Sequence, residues 1–266
     1  MKKILLLMLL PLLFACGNEV SSPENQIESV EAKIVIPDTI YLNKSIDILT
    51  ETLVAFNKVE YYIDGELIGT SINENYRLSW RPQDVSAGAN SVKIVAYTSN
   101  KTYEFASTTF LKLSVGDKYG GGTVINVFEN GTSGLVAADY DIKDDYDDDY
   151  RFRWTLNMTS IGANSEDGKT NTDLIIKSFS EENSTFAKFL KDGVSIGGFK
   201  DWYVPSLEES KKIDKDIVPN LRLDQYYWTS TETDANMAVF YHFRGTMMGT
   251  NQAKNYLYYI RLVRKI

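Results

Sequence analysis

The sequence predicts two folded domains in series, an all-β sandwich followed by an α+β domain, and three observations carry this. Residues 33–115 contain short alternating apolar runs, "AKIVIP", "SIDIL", "KVEYYIDGELIGTS", "YRLSW", "NSVKIVAYT" and "STTFLKLSV", separated by turn signals. That is the period-two pattern of half-buried strands at sandwich spacing. The stretch "SVGDKYGGG" at 114–122 ends the alternation, and beyond it the chain becomes a mixture of segments rich in Gly, Asn and Tyr. At 266 residues, 43% hydrophobic and 12% aromatic, the chain is large and apolar enough for two cores.

The first segment is not part of either domain. Lys2 and Lys3 precede an apolar run from Ile4 to Phe14, too short to span a bilayer but of the right length for a signal-peptide core. The run ends in "LLFAC", which resembles the lipobox of bacterial lipoproteins. The resemblance implies a leader at 1–15, cleavage before Cys16 and acylation of its sulfur; the alternative is an ordinary secretory leader with an incidental cysteine. Cys16 is the only cysteine, so no intrachain disulfide forms. Several acyl chains hold a protein to a membrane far more firmly than one. The expected location is the outer membrane of a Gram-negative bacterium, facing outward, with the polar, aperiodic residues 16–32 as a tether.

Charge narrows the partners. The 28 basic and 36 acidic residues give a net charge of -8, and losing Lys2 and Lys3 with a leader makes the mature chain more acidic still. Affinity for phosphate or sulfate rests on a basic surface, so nucleic acid and polyanionic glycans are poor partners.

In residues 33–115, "VEYYIDGELIGT" reads as a hairpin with Asp64-Gly65 at the turn and Val59, Tyr61 and Ile63 on one face. This hairpin, followed by "YRLSW", resembles those of bacterial immunoglobulin-like domains, which implies an immunoglobulin-like sandwich acting as a spacer. Trp80, at the end of the last segment, is expected in the core or at an edge.

In residues 116–266, the strands "GGTVINVF" and "SGLVAA" flank a turn at Asn130-Gly131. A helix is predicted over "STFAKFLKDG", with Phe186, Phe189 and Leu190 on one face and Gly193 at its stop. Pro205 favours an extended Val204, and Ser206 with Glu209 forms a capping-box pattern that starts another helix. Trp202 and Tyr203 therefore lie on an extended segment, where neighbours point to opposite sides; at most one is expected to face the core, leaving the other able to face out. The order of "GDKYGGGTVINVFENGTSGLVAAD", "GKTNTDLI", "GGFKDWYVPSLEE", "YYWTSTETDAN", "AVFYHF" and "YYIRLVR" resembles the Lcl C-terminal domain family, named for the end of a bacterial collagen-like adhesin. The resemblance implies a C-type lectin-like α+β fold and binding of a glycan or protein ligand rather than a reaction.

Catalytic constellations are sparse. His242 is the only histidine and the only thiol belongs to Cys16, which leaves no material for a Cys–His pair or a histidine-rich zinc site. Asp201, Glu208 and Glu209 contain the carboxylates of an alternative reading, an envelope enzyme acting on glycans, although a helix start accounts for them equally. The run "ADYDIKDDYDDDYRF" holds Asp139, Asp141 and Asp148 together with Asp144, Asp145, Asp147 and Asp149, the last four being candidate ligands for Ca²⁺. The spacing matches no EF-hand, and a solvated, self-repelling loop is the competing reading.

The candidate recognition surface is the last third, where Tyr, Trp, Asn, Thr and Arg interleave around the glycine-punctuated "RGTMMGTNQAKN". Trp228, Phe240 and Phe243 are assigned to the core. Glu232, Asp234, Asn236, Tyr241, Arg244, Asn251, Lys254 and Tyr256 are the expected ligand contacts. The function this describes is a lipid-anchored envelope binding protein or adhesin.

Overall fold

The computed structural model describes residues 30–128, 130–143, 151–244 and 249–266. The leader, Cys16 and most of the tether lie outside the described residues. Among those described, no helix is long and apolar enough to cross a membrane.

The first unit has eight strands: β1 (Ala32–Val35), β2 (Thr39–Tyr41), β3 (Ile46–Thr52), β4 (Lys58–Ile63), β5 (Glu66–Ser71), β6 (Arg77–Trp80), β7 (Gly88–Tyr97) and β8 (Thr102–Lys112). They form two sheets, β1-β3-β6 and β2-β8-β7-β4-β5. The chain changes sheets at its start, since β1 runs antiparallel to β3 while β2 runs parallel to β8. This is an immunoglobulin-like sandwich. Asp64 and Gly65 both take positive φ, 49° and 89°, as a two-residue hairpin turn requires. The alternation in β4 buries Val59, Tyr61 and Ile63, the first two in a cluster with Ile48 and Ile94. The buried Tyr61 hydroxyl donates to the Tyr76 carbonyl, and the Tyr76 hydroxyl donates to the Phe56 carbonyl at 3.0 Å, so each buried phenol has a partner. Trp80 is half-buried at the rim, packed against two apolar clusters.

The second unit adds β9 (Lys118–Tyr119), β10 (Gly122–Val127), β11 (Gly134–Ala137), β12 (Arg151–Phe152), α1 (Gly168–Phe179), α2 (Phe186–Lys191), α3 (Leu207–Ser210), β13 (Tyr226–Glu232), β14 (Met237–His242), β15 (Thr250–Ala253), β16 (Tyr258–Tyr259) and β17 (Val263–Lys265). Its sheets are β17-β11-β10-β9 and β12-β16-β13-β14-β15. Helix α2 starts at a Thr185 cap and is followed by Gly193 at φ 88°. Helix α3 carries the full capping box between Ser206 and Glu209. Helix α1, absent from the sequence reading, is capped by Asp167 and turns polar residues inward: the Thr172 hydroxyl accepts from the Val204 amide at 3.1 Å, and the Asn171 amide donates to the Asn164 carbonyl. Buried Asn and Thr hide the apolar period by which an amphipathic helix is recognised.

Trp202 and Tyr203 correct another expectation. They do point to opposite sides, yet both are buried, at 6% and 1% exposure, because each side is a core. Trp202 joins the cluster of Val124, Trp154 and Phe186, while Tyr203 joins Ile125, Tyr227 and Val263. The Trp202 indole donates to the Ile196 carbonyl at 3.2 Å and the Tyr203 hydroxyl donates to Glu209 at 2.9 Å. The segment is a wedge between two apolar layers.

Among the described residues, no sheet includes strands of both units. The joint between them is nonetheless packed. Ile40, Leu42, Leu111 and Leu113 of the sandwich meet Tyr119, Val127 and Ile266. The Leu113 amide donates to the Gly131 carbonyl at 2.7 Å, and the glycine-rich connection is tied by Gly116 N–H to the Val124 carbonyl at 2.8 Å.

Candidate functional site

Strands β13 and β14 pair antiparallel, with Tyr226 opposite His242, Tyr227 opposite Tyr241 and Trp228 opposite Phe240. Alternation along them sorts the aromatic rings onto two faces. Tyr227, Tyr241 and Phe243, with Tyr259 of β16, turn into the core around Val263. Trp228 and Phe240, with Tyr258, face the other way. On this second face the rings run outward from the interior. Trp228 is fully buried, its indole donating to the Phe152 carbonyl at 2.9 Å. Tyr258 stands 4.8 Å from it and 5.2 Å from Phe240, centroid to centroid. Tyr226 follows at 5.3 Å and Tyr256 at 6.4 Å from Tyr258, and these outer two rings are 38% and 52% exposed.

The row ends as an exposed tyrosine strip mounted on a packed sheet. Gln252 Nε2 donates to the Tyr258 hydroxyl at 3.3 Å. Burial pushes that hydroxyl above the ordinary tyrosine range, so it stays protonated and keeps its donor. The His242 ring lies 5.2 Å from Tyr226, and its Nδ1 is buried without a hydrogen-bond partner among the described residues. His242 thus sits half-buried beside the strip.

Of the eight expected contact residues, five are exposed. Tyr256 belongs to the strip. Asn251 lies on edge strand β15, its amide oxygen accepting from Thr233 Oγ1 at 2.8 Å. Asp234 closes the β13–β14 turn by accepting from the Asn236 and Met237 amides at 2.7 and 2.9 Å, and exposed Asn236 follows it. Arg244 is exposed and paired with Asp224.

The other three are corrections. Tyr241 is buried in the aromatic core. Lys254 is completely buried, with its ammonium 2.8 Å from Glu232, 3.2 Å from the Thr159 carbonyl and 4.5 Å above the Trp154 ring. Glu232 uses its other oxygen to accept from Ser160 Oγ at 2.8 Å and from the amides of Ile161, Gly162 and Ala163. Burial raises the Glu232 pKa, but Lys254, Ser160 and the Gly162 amide together outweigh it and leave it below the usual glutamate value. These two charges pin the 155–163 loop to the sheet. They are spent inside the fold and present nothing to a ligand.

A second buried charge centre absorbs part of the acidic run. Asp141 accepts from Arg261 Nε at 2.9 Å, Arg222 Nε at 3.2 Å and the Tyr227 hydroxyl at 3.1 Å. Arg261 donates further to the carbonyls of Ala138, Pro219 and Asn220. Asp139 accepts from Lys118 and Thr123. Asp144, Asp145, Asp147, Asp148 and Asp149 lie outside the described residues; among those described, no group of three or more acidic, histidine or cysteine side chains is placed to hold a metal. The carboxylates of the enzyme alternative are each engaged: Asp201 accepts two hydrogen bonds from Arg264 at 2.8 and 3.0 Å, Glu208 pairs with Lys211, and Glu209 serves the α3 cap and Tyr203.

Sequence reasoning missed Tyr226, Gln252 and Tyr258. The signal was available for Tyr226, since reading "YYWTSTE" as a strand antiparallel to "MAVFYH" places it on the Trp228 face one step further out.

Comparison with known proteins bears on the first unit. The family model of the bacterial Ig domain matches residues 45–94, from the end of β2's connection through most of β7. That unit is a bacterial immunoglobulin-like domain. No curated protein matches the chain. Among solved structures, the chain is similar to the fibronectin(III)-like modules of Clostridium thermocellum CbhA (20% identity, 32% of this chain and 99% of that one, TM-score 0.28). It is also similar to the endo-β-1,4-mannanase of Thermotoga petrophila (10% identity, 34% and 21%, TM-score 0.29) and the β-glucuronidase of Parabacteroides merdae (18% identity, 41% and 15%, TM-score 0.27). The chain thus spans nearly all of the first but only 21% and 15% of the two enzymes, and likenesses this distant carry no inference about its activity.

Proposed function

We propose that the protein is a lipid-anchored envelope binding protein, an adhesin in the broad sense, in which the C-terminal unit recognises a glycan or protein ligand through the tyrosine strip. The observation that carries this reading is the strip itself: Tyr226 and Tyr256 hold large aromatic area in solvent while the rings behind them are locked in a core. Tyrosine offers rigid, amphipathic contact area at low entropic cost, with a hydroxyl for hydrogen bonding. A ligand with alternating apolar and hydroxyl faces suits such a surface.

The Lcl-type order of segments over 116–266 supports a C-type lectin-like description of this unit, and "LLFAC" supports anchoring at Cys16 in an outer membrane, facing outward. The enzyme alternative has no comparable support, because its carboxylates are occupied by helix capping and ion pairs. A glycan and protein array probed with the leaderless protein tests the reading. Tyr226→Ala/Tyr256→Ala is expected to abolish the captured signal without changing the melting temperature; undiminished capture by that variant refutes it. Cys16→Ser in the full chain is expected to move the protein from the membrane fraction to the soluble one.

A further inference from the structure

A cleft of about 860 Å³ lies on the seam between the two units, and none of the strip's residues line it. Its volume falls within the roughly 300–1,000 Å³ of small-molecule clefts, which favour domain junctions. The sandwich contributes the loop ahead of β7, with Gln83, Asp84 and Ser86; the C-terminal unit contributes β9, the glycines after it, Asp139, Phe199 and Arg264.

Three properties of the lining converge on one kind of occupant. The aromatic surface is fixed in place. Phe199 is 38% exposed, and the Arg264 guanidinium stacks 3.8 Å from its centroid. Arg264 is itself clamped by Asp201 and by the Gly120 carbonyl at 2.9 Å. Gly121, at φ 88°, lets the backbone press against this ring, since a Cβ there would come within 2.9 Å of the Ile196 carbonyl and 3.1 Å of Phe199.

The lining cations are paired. Lys118 sits 2.7 Å from Asp139 and Arg264 is held by Asp201, so a phosphate or sulfate ligand meets no unpaired cation in the lining.

Hydrogen-bonding capacity is left unused. The side chains of Gln83, Asp84, Ser86 and Thr132 line the cleft with no hydrogen bond or ion pair to the described residues. Tyr119 ties the walls together by accepting from the Ala87 amide at 3.1 Å, which leaves its own hydroxyl proton without an acceptor among those residues. A rigid aromatic ring, several spare donors and acceptors, and no unpaired cation together match an uncharged, hydroxyl-rich molecule.

We infer that the seam cleft is a second binding site, for a short neutral oligosaccharide, built jointly by the two units, so that the immunoglobulin-like domain takes part in recognition instead of acting only as a spacer. The sugar's C–H face stacks on Phe199, and its hydroxyls meet Gln83, Asp84, Ser86 and Tyr119.

Calorimetric titration of the leaderless protein with uncharged tetrasaccharides of β-1,4-linked glucose, mannose and N-acetylglucosamine tests this, with a sulfated tetrasaccharide as control. At least one neutral sugar is expected to bind. Ser86→Arg, an exposed change on the sandwich side that fills the cleft, and Phe199→Ala are each expected to weaken it at least tenfold. Tyr226→Ala/Tyr256→Ala should leave this binding intact, which separates the cleft from the strip. The inference is overturned if none of the three sugars binds, if the sulfated control binds more tightly, or if Ser86→Arg binds like the wild type while retaining its melting temperature. Sugar binding lost only in the strip variant also overturns it, and leaves the proposed function standing.

Discussion

In the sandwich the residues with no exposure are Ile48, Val59, Tyr61, Ile94, Ala96 and Leu111, all of them apolar or aromatic. In the C-terminal unit Lys254 and Arg261 are as inaccessible as Trp154 and Trp228. Both units bury large aromatic groups, but only the second organises its irregular chain around interior charges. The difference follows from chain geometry. A sandwich satisfies its backbone groups within two sheets, so its core needs little more than apolar side chains. The C-terminal unit carries non-repetitive segments, 138–143, 153–167 and 211–225, whose inward-facing carbonyls and amides need partners that strands do not supply. Arg261 serves three such carbonyls and Glu232 three such amides.

The contrast can be broken most directly at Lys254. Lys254→Ala leaves Glu232 in the interior without its cation, and removing one partner of a buried pair costs on the order of 3–5 kcal/mol. Thermal melts should show the C-terminal unit unfolding at markedly lower temperature, with Glu232→Gln/Lys254→Met recovering part of the loss. A cost below about 1 kcal/mol, typical of exposed ion pairs, would show that these charges do not organise the unit.

The corresponding polar contact in the sandwich should matter less. Tyr61→Phe removes the hydrogen bond to the Tyr76 carbonyl, but that carbonyl still accepts from the Thr50 amide at 3.2 Å. The expected loss is about 1 kcal/mol by chemical denaturation, the net worth of one hydrogen bond.

A smaller effect separates the two units by pH and salt. The folded pKa of Glu232 lies below its ordinary value, so its stabilisation is complete above that value and is lost as pH falls through the folded one. The difference in melting temperature between wild type and Glu232→Gln should shrink on acidification. Glu60 of the sandwich is also held down, to about 2, by Lys58 first and then by the Tyr97 and Tyr62 hydroxyls, but its pair with Lys58 reaches solvent. High salt should weaken the Glu60 effect and leave that of Glu232 largely intact.

The least stability change is expected at the tyrosine strip and the exposed edge beside it. Tyr256→Ala and Asn251→Ala alter exposed groups and should shift stability by no more than about 0.5 kcal/mol, while Trp228→Ala, behind the same strip, costs on the order of 3–5 kcal/mol. A Tyr256→Ala protein that melts like Trp228→Ala would make the strip part of the core instead of a surface.

Local chemistry made much of the architecture legible in the sequence. The Asp64-Gly65 turn, the inward Val59, Tyr61 and Ile63, the Gly193 stop and the Ser206–Glu209 capping box each depend on residues a few positions apart, within the range where turn and cap geometry act. Trp228, Phe240 and Phe243 are buried, the place assigned to them from the sequence. Helix α1 escaped because Asn171 and Thr172 face inward toward partners at 164 and 204. The outward place expected for one of Trp202 and Tyr203 does not exist, because Val263, sixty residues on, pairs with the Tyr203 backbone and a second core closes over that side. Glu232 and Lys254 look like surface charges along the chain, and only folding brings them to 2.8 Å of each other. Asp141 and Arg261 are separated by 120 positions. A charge in a sequence is solvated by default, and whether it ends in water or in the interior depends on a partner that arrives through tertiary pairing. The same holds for the seam cleft, whose two walls acquire a common ligand surface only once Tyr119 meets Ala87.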